Sequence, residues 1–156
     1  MNKTKTKTKS PANIIILQGI PGSGKTTYAN KWVDESPEDR VRINRDDIRR
    51  MSGKYWVPSR EEYITDIEDF ILSTAMSHGY DIIIDNMNLN HTVTDKIKET
   101  VDEYNANYNI TYSLGYIFLD TPLEECISRD AARDNPIGEE TIKSIYSKYK
   151  HYYNDK

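Results

Sequence analysis

Eight residues of this chain, directly after a run of aliphatic side chains, read Gly19-Ile20-Pro21-Gly22-Ser23-Gly24-Lys25-Thr26. They fit the pattern G-x-x-x-x-G-K-[ST] between a buried strand and a helix, which is the context that this phosphate-binding loop, the P-loop, requires. Its glycines let backbone N–H groups surround a β-phosphate, while Lys25 reaches the β- and γ-phosphates and Thr26 binds Mg²⁺. The sequence therefore predicts binding of ATP or GTP, with contacts from Gly19, Pro21, Gly22, Ser23, Gly24, Lys25, Thr26 and Thr27.

Around the P-loop, apolar segments alternate with helical patterns. Ile14–Leu17 form an unbroken aliphatic run, which is typical of a parallel-sheet strand covered on both faces. Strands are predicted at Asn13–Gln18, Arg40–Asn44, Asp81–Asp85 and Thr111–Leu119. Helices are predicted at Lys25–Asp34, Asp46–Ser52, Arg60–His78 and His91–Tyr104, after Thr121, and at Glu139–Tyr153. This alternation predicts an α/β domain built on a parallel sheet.

The helix predicted over residues 60–78 has the clearest end signals. Ser59 with Glu62 three residues later predicts a capping box at its start, and Gly79 predicts a left-handed stop at its end. Asn90 predicts the N-cap of the next helix. The buried face of the 60–78 helix is predicted to carry Tyr63, Ile64, Ile67, Phe70, Ile71 and Ala75.

The composition is that of one globular domain. The chain has 156 residues, 37% of them apolar, and single cores usually form from about 100 to 200 residues. No apolar run approaches the roughly 20 residues that cross a bilayer, and the start lacks the apolar segment of a secretory signal. We therefore expect a cytoplasmic protein without membrane contact. Residues 1–11, rich in Lys and Thr, are expected to be a disordered arm, and residues 12–156 a single P-loop domain.

Charge is distributed unevenly along the chain. Residues 11–156 carry 17 basic and 25 acidic side chains, which excludes a broad basic face for nucleic acid. Six of the eight arginines nevertheless lie between Arg40 and Arg60, an interval with seven basic and two acidic residues. Because the guanidinium fork suits phosphate oxygens, this arginine cluster indicates local phosphate contacts. The alternative is that these arginines lie on solvated helix faces.

The strand predicted at 81–85 ends in a carboxylate. Ile82–Ile84 followed by Asp85 resemble a Walker B strand, whose last carboxylate helps to hold magnesium. The next residue is Asn86, where motor ATPases commonly have a Glu that polarises the attacking water, and an amide cannot accept a proton. The chain also contains no Asn-Lys-x-Asp motif for guanine. Both features favour a kinase.

Two adjacent carboxylates follow the strand predicted at 40–44. Asp46 and Asp47 lie where the carboxyl edge of a parallel sheet faces the ligand crevice, and a carboxylate there can accept the proton of an acceptor hydroxyl. Adjacent residues entering a helix point about 100 degrees apart, so one is expected to face the acceptor while the other caps the helix. Arg49 lies one turn after Asp46, and this pairing suits an acceptor that carries a phosphate.

A second arginine pair is predicted on the helix after Thr121. Arg129 and Arg133 are four residues apart and share a helix face. On a mobile lid they would stabilise the charge that develops during phosphate transfer and exclude water. The alternative is an ordinary surface pairing of Arg129 with Glu125.

Four blocks of this sequence resemble the phage-type polynucleotide 5′-hydroxyl kinases, which belong to the small P-loop kinases related to adenylate kinase. The blocks are Gly19–Thr26, Ile43–Arg49, Asp85–Asn90, and Pro136–Ile137 leading into Ser144–Tyr146. The resemblance implies ATP and Mg²⁺ as cofactors and a P-loop NTPase fold with about four parallel strands in the order 2-3-1-4, flanked by helices and a helical lid. It also implies that residues 12–156 form a single kinase domain, without the Asp-x-Asp-Gly-Thr signature of a 3′-phosphatase.

The resemblance also implies roles for individual residues. Asp46 is implied as the general base, Arg49 as the contact to the acceptor phosphate and Arg133 as the lid arginine. Asp85 is implied to reach magnesium or the acceptor, or to share its role with Asn86. The predicted catalytic residues are Asp46, Lys25, Arg49 and Arg133. The predicted substrate contacts are Arg45, Asp46, Arg49, Trp56, Asp85 and Asn88, the metal ligands are Thr26 and Asp85, and Arg129 and Arg133 add nucleotide contacts.

The leading functional hypothesis is transfer of the γ-phosphate of ATP to the 5′-hydroxyl end of a DNA or RNA polynucleotide. Tyr55 and Trp56, beside the arginine cluster, would stack the terminal base, or else complete the core under a loop. One alternative is a kinase of a small-molecule hydroxyl, such as an antibiotic or a sugar nucleotide, and another is a nucleotide-dependent switch without an acceptor. Tyrosines of the last helix predict a surface that a partner copy would cover.

Overall fold

The computed structural model describes residues 12–108 and 111–154, so the arm predicted at residues 1–11 lies outside the described residues. Strands and helices alternate through the described part of the chain. The strands are β1 (Ala12–Gln18), β2 (Arg40–Ile43), β3 (Asp81–Ile84) and β4 (Tyr112–Phe118). The helices are α1 (Lys25–Asp34), α2 (Arg45–Met51), α3 (Glu61–Ser77), α4 (His91–Asn107), α5 (Leu123–Ala131), α6 (Glu139–Lys148) and α7 (His151–Asn154), with a 3-10 turn at Pro58–Arg60 before α3.

The four strands form one parallel sheet in the order β2-β3-β1-β4, which confirms the predicted order. β1 is central: Ile14 pairs with Ile82 of β3, and all seven residues of β1 pair with β4. Because the strands run in the same direction, their carboxyl ends meet at one edge of the sheet. The P-loop and the loops after β2 and β3 leave the sheet at this edge.

The aliphatic run of β1 fills both faces of the sheet. Ile14 and Ile16 belong to the core that α3 and α4 cover, whereas Leu17 packs with Ala29 of α1 on the opposite face. This division follows from the two-residue period of side chains along a strand. A third cluster joins the P-loop to the lid and the last helices, and it consists of Ile20, Leu89, Cys126 and Ile142.

Two expectations for α3 are wrong. The helix begins after the 3-10 turn, and its N-cap Arg60 makes no side-chain capping hydrogen bond, so Ser59 forms no capping box. Tyr63 and Phe70 are 54% and 72% exposed instead of buried. The predicted apolar stripe is wider than the arc that one sheet face can cover, and packing selects the residues Ile64, Leu72, Ala75 and Met76.

Other helix and strand ends show how tertiary contacts adjust a sequence pattern. The helix predicted over 139–153 is divided into α6 and α7. Tyr152 of α7 donates a hydrogen bond to the carbonyl oxygen of Leu89 at 3.1 Å and stacks on Phe118. The predicted cap at Asn90 and the left-handed Gly79 (φ 69°) are confirmed. In the described part of the chain, no helix combines the length and the apolar character that crossing a membrane would need.

Candidate active site

The P-loop, Gly19–Thr26, joins the end of β1 to the start of α1. Gly24 is the N-cap of α1 and has a φ of 96°, a left-handed conformation that glycine adopts without strain. At Gly22, with a φ of 82°, a Cβ atom would lie 2.3 Å from the carbonyl oxygen of Cys126 in α5. Glycine at this position therefore lets α5 pack directly against the loop, at the helix N-terminus where anions bind.

The ammonium group of Lys25 lies within the P-loop. Its Nζ donates to the carbonyl oxygens of Gly19 and Ile20, both at 2.9 Å, and to Ser23 Oγ at 3.3 Å. Burial lowers the pKa of Lys25 from 10.5 to about 8, while the nearby carboxylate of Asp85 opposes this shift. An anion placed beside this ammonium would favour its charged form, as the phosphates of a nucleotide would do.

Asp85, the residue after β3, is 1% exposed and contacts the P-loop. Its Oδ2 accepts hydrogen bonds from Thr26 Oγ1 at 2.9 Å and from Arg42 Nε at 2.7 Å. Its Oδ1 is buried and has no hydrogen-bond partner among the described residues. Burial by itself lowers the pKa of Arg42, but hydrogen bonds to Asp85 and Asp47 raise it overall, so Arg42 remains a cation behind Asp85.

The oxygens of Thr26 and Asp85 fit the predicted magnesium site. A P-loop hydroxyl and a strand-end carboxylate are the ligand pair that P-loop proteins use, and Mg²⁺ commonly takes one or two protein oxygens together with water and phosphate. The unpartnered Oδ1 of Asp85 can bind a cation without losing a protein hydrogen bond. Within residues 12–108 and 111–154 no group of three or more His, Cys, Asp or Glu side chains could hold a metal ion. A magnesium ion here would therefore depend on the phosphates of a nucleotide.

Two asparagines join the loops after β2 and β3. Asn44 caps α2 by accepting the N–H of Asp47 at 2.9 Å, and its Nδ2 donates to the backbone oxygen of Asp85 at 2.6 Å. Asn86 accepts the backbone N–H of Arg45 at 2.9 Å. Asn86 thus fixes the start of α2, while Asp85 is the acidic residue that reaches the P-loop.

Asn88, a predicted substrate contact, is buried at the end of β1 and lies outside the cavity lining. It is 5% exposed, and its Nδ2 donates to the backbone oxygens of Leu17, Ile84 and Asn86 at 2.8, 3.2 and 3.1 Å. These contacts hold the loop after β3 against the end of β1. The side chain is directed into the fold because buried backbone carbonyls need donors, which residue spacing alone does not reveal.

The structure separates the two adjacent carboxylates at the start of α2. Asp46 lines the cavity that contains the P-loop, and its side chain is 43% exposed. Asp47 does not line this cavity; its carboxylate pairs with Arg42 at 2.6 Å and with Arg50 at 2.8 Å. Asp46 is therefore the carboxylate in position to meet an acceptor, and Asp47 makes surface ion pairs.

Arg49 lies beside Asp46 and is held from two sides. Its Nη1 donates to Asp46 Oδ1 at 2.6 Å, and its Nε and Nη2 contact the carboxylate of Glu61, with Nη2 at 2.6 Å. These bonds use three of the five N–H groups of a guanidinium. Burial lowers the pKa of Arg49, but its bonds to Glu61 and Asp46 raise it overall, so the side chain stays charged. Among the described residues, its other two N–H groups have no hydrogen-bond acceptor.

The arginine cluster at residues 40–60 is largely neutralised by carboxylates from elsewhere in the sequence. Arg45, a predicted substrate contact, pairs with Glu68 at 3.0 Å and with Glu61 at 3.4 Å, and Arg40 pairs with Glu35 at 3.3 Å. The charge counted along the sequence therefore overstates the positive potential of this surface. Helix α3 supplies the compensating acids, because it packs against α2 in the folded chain.

The two aromatic residues after α2 are both exposed, so they do not complete the core. Tyr55 is 46% exposed and lines the cavity, and its Oη donates to Asp46 Oδ1 at 2.8 Å. Trp56 is 54% exposed and lies outside the cavity lining, with the guanidinium of Arg49 at 5.6 Å from its ring centroid. Base stacking on Trp56 stays a prediction.

The lid arginines lie on α5 and the turn after it. Arg129 is at 3.4 Å from the backbone oxygen of Gly22 and also pairs with Glu125, so it contacts the P-loop while making the predicted surface pair. Arg133 lines the cavity. The buried Asp130 accepts the backbone N–H groups of Ile137 and Gly138 at 3.0 and 2.9 Å. Asp130 thereby holds the loop between α5 and α6 in place beneath Arg133.

One cavity of about 380 Å³ brings most of the predicted residues together. The predicted residues that line it are Pro21, Gly22, Gly24, Lys25, Thr26, Thr27, Arg45, Asp46, Arg49, Asp85 and Arg133. The predicted residues outside its lining are Gly19, Ser23, Trp56, Asn88 and Arg129. The cavity thus places the P-loop and Asp46 on the same open space.

Several functional contacts were missed from the sequence. Glu61, Arg42 and Asp130 have no motif of their own, since each acts through a partner that is distant in sequence. Tyr55 was considered only for stacking, although its O–H reaches Asp46. Asn44, directly before the two carboxylates, has the ordinary signal of a helix cap, and this signal was available.

This chain is similar to a described family and to kinases of known name. Residues 14–151 match the family described as AAA domain. The chain is 30% identical over 138 residues to L-seryl-tRNA(Sec) kinase of Methanococcus maripaludis, covering 87% of this chain and 52% of that protein. It is also 30% identical over 162 residues to a protein named "Putative bifunctional polynucleotide kinase/RNA ligase" of Autographa californica nuclear polyhedrosis virus, covering 92% of this chain and 22% of that protein.

A solved structure is also similar to this chain. A chain of the Pnkp1/Rnl/Hen1 RNA repair complex superposes with a TM-score of 0.76 at 25% identity, covering 99% of this chain and 49% of that chain. The present chain thus spans about half or less of the length of these three proteins. The match over residues 14–151, the four-stranded sheet and the kinase relatives identify the chain as a member of the AAA domain family, with the fold of a P-loop kinase domain.

Proposed function

We propose that this domain transfers the γ-phosphate of ATP to the 5′-hydroxyl of a DNA or RNA end, in the presence of Mg²⁺ and in the cytoplasm. The observation that carries the proposal is the pair formed by Asp46 and Arg49, which lines the same cavity as Lys25 of the P-loop. A carboxylate there can accept a proton, and the cation beside it suits an acceptor that carries a phosphate next to its hydroxyl.

Asp46 and Arg49 have separate roles in the proposed reaction. Asp46 accepts the proton of the 5′-hydroxyl, the hydroxyl oxygen forms a bond to the γ-phosphorus, and the bond from that phosphorus to the β–γ bridging oxygen breaks, releasing ADP. The two N–H groups of Arg49 that are not used by Asp46 and Glu61 bind the phosphate of the acceptor's end. Asp46 keeps one oxygen for the proton, since only Oδ1 accepts hydrogen bonds from the described residues.

The nucleotide side of the cavity supports ATP as the donor. Lys25 and the P-loop bind the phosphates, Arg133 lies across the cavity, and Arg129 contacts the loop itself. A magnesium ion held by Thr26 and Asp85 would neutralise charge on the phosphates. Burial lowers the pKa of Lys25, and bound phosphates would oppose this effect by favouring the charged ammonium.

A second candidate acceptor has a specific observation in its favour. L-seryl-tRNA(Sec) kinase is 30% identical to this chain, as the viral relative is, and its match covers 87% of this chain and 52% of that kinase. Its name describes transfer to a serine hydroxyl on a tRNA. With such an acceptor, Asp46 would lie beside an amino acid instead of a ribose. A small-molecule acceptor without a phosphate, such as an antibiotic, would leave the remaining N–H groups of Arg49 without a phosphate to bind.

The test is transfer of label from γ-labelled ATP to an oligonucleotide with a 5′-hydroxyl, beside the same strand already 5′-phosphorylated. We expect label on the first strand alone, and a loss of about 100-fold or more in kcat for Asp46→Asn, because general base catalysis typically contributes about 10² to 10⁴. Asp47→Asn is the matched control, since it changes an adjacent carboxylate that does not line the cavity. Equal losses in both variants would contradict the assignment of Asp46.

Seryl-tRNA, with deacylated tRNA as its control, separates the two acceptors. Label on seryl-tRNA alone would replace the polynucleotide end by the serine hydroxyl. Label on DNA and RNA ends at similar rates would mean that the site does not distinguish deoxyribose from ribose. A preference for RNA would indicate a contact to the 2′-hydroxyl.

A further inference from the structure

Tyr55 makes a direct contact with the carboxylate that the proposed function uses as its base. Its Oη donates to Asp46 Oδ1 at 2.8 Å, and Arg49 Nη1 donates to the same oxygen at 2.6 Å. No described residue donates a hydrogen bond to Asp46 Oδ2. The two oxygens of Asp46 are therefore unequal: one is held by two donors, and the other is left for a proton.

The segment that carries Tyr55 is itself fixed. Gly53 takes a left-handed φ of 109° directly after α2, which turns the chain back toward the cavity. Arg60 Nη1 donates to the backbone oxygen of Ser52 at 2.6 Å, and Ser52 Oγ donates to the backbone oxygen of Ile48 at 2.8 Å. The phenol ring therefore approaches Asp46 from an anchored turn and not from an unrestrained loop.

Two cations lie on the ring of Tyr55. The guanidinium carbons of Arg49 and Arg50 are 5.9 and 5.7 Å from its centroid. These contacts orient the ring, and they occupy its surroundings on the side of α2. A base stacked on Tyr55 would have to compete with them, so the ring is better suited to hold its O–H in place than to serve as a stacking platform.

We infer that Tyr55 is a positioning residue for Asp46: together with Arg49 it holds Oδ1, so that Oδ2 is presented to the acceptor hydroxyl. The inference rests on the proposed function, because it assumes that Asp46 takes the proton of that hydroxyl. A carboxylate that rotates freely about its last torsion presents a correctly aligned oxygen for only part of the time. Two donors on one oxygen remove that rotation, and catalysis by positioning depends on such alignment.

The test is Tyr55→Phe, which removes the O–H and keeps the ring with its two cations. We expect kcat for transfer to the 5′-hydroxyl strand to fall roughly tenfold, since a hydrogen bond to a charged group has about this effect on an equilibrium or a rate. The KM for ATP and the KM for the acceptor should stay within twofold, because neither substrate loses a contact. Tyr63→Phe is the matched control: it makes the same chemical change at a 54% exposed tyrosine of α3 that does not line the cavity.

Each outcome decides the inference separately from the proposed function. A kcat within twofold of the wild type in Tyr55→Phe, or an equal rise in both KM values with a lowered Tm, would overturn the positioning role. If the wild type labels seryl-tRNA and not the 5′-hydroxyl strand, the proposed function fails, and the same variants are compared on seryl-tRNA. A wild-type protein that labels no hydroxyl acceptor would overturn both.

Discussion

The buried ammonium of Lys25 makes the stability of this domain depend on pH in a way that one substitution should remove. Burial lowers the pKa of Lys25 from 10.5 to about 8. A difference of about 2.5 pKa units corresponds to about 3 kcal/mol, the amount by which the charged form is disfavoured in the fold relative to the unfolded chain. Lys25→Met keeps a long apolar side chain and cannot titrate.

Whether stability rises or falls with pH depends on which state, folded or unfolded, binds more protons. Below about pH 8 both states carry the charged lysine, so the destabilisation is fully present, and above about pH 10.5 both are neutral, so it is absent. Between these limits the unfolded chain binds more protons, and stability contributed by this group rises with pH. From about pH 7 to about pH 9.5, the free energy of unfolding of the wild type should gain about 2 kcal/mol relative to Lys25→Met.

Urea denaturation of both proteins, without nucleotide, measures this difference at each pH. Subtracting the variant from the wild type removes the pH-dependent contribution of titrating groups that the substitution does not affect. Lys25→Leu should give the same pH dependence as Lys25→Met. A difference between wild type and variant that stays constant within about 0.5 kcal/mol over this range would refute the reasoning, because it would mean that Lys25 is not desolvated in the fold.

Two further predictions concern the loop and the acceptor surface. Gly22→Ala should lower the free energy of unfolding by roughly 2 kcal/mol or more, because the added Cβ would lie 2.3 Å from the carbonyl oxygen of Cys126 at a φ of 82°. Gly115→Ala is the control, since no described atom lies within 4 Å of its added Cβ. Its free energy of unfolding, measured by urea denaturation, should stay near that of the wild type. The KM of a single-stranded acceptor should depend weakly on salt, with a log–log slope of roughly 1 to 2, since ion pairs to Glu61 and Glu68 neutralise much of the arginine cluster. A slope of roughly 3 or more would mean that these arginines leave their carboxylates when the acceptor binds.

The sequence by itself determined the fold and the phosphate-binding half of the site. An unbroken aliphatic run can only be buried on both faces, and this places Ile14–Leu17 at the centre of a parallel sheet. The P-loop is read from adjacent residues, so its chemistry needs no distant partner. Strand ends at Ile43 and Ile84 were predicted to within one residue, which located Asp46 and Asp85 at the same edge of the sheet.

Only the tertiary structure decided which charges are available and where the ends of side chains point. Asp46 and Asp47 are equivalent in sequence, and the contacts of Asp47 with Arg42 and Arg50 are what distinguish them. The Nδ2 of Asn88 donates to backbone carbonyls around it, a contact that residue spacing does not reveal, and its role as a substrate contact stays a prediction. Part of the charge of the arginine cluster is neutralised by Glu61 and Glu68 of α3 for the same physical reason: hydrogen bonds and ion pairs act through a few ångströms of space, whatever the separation along the chain.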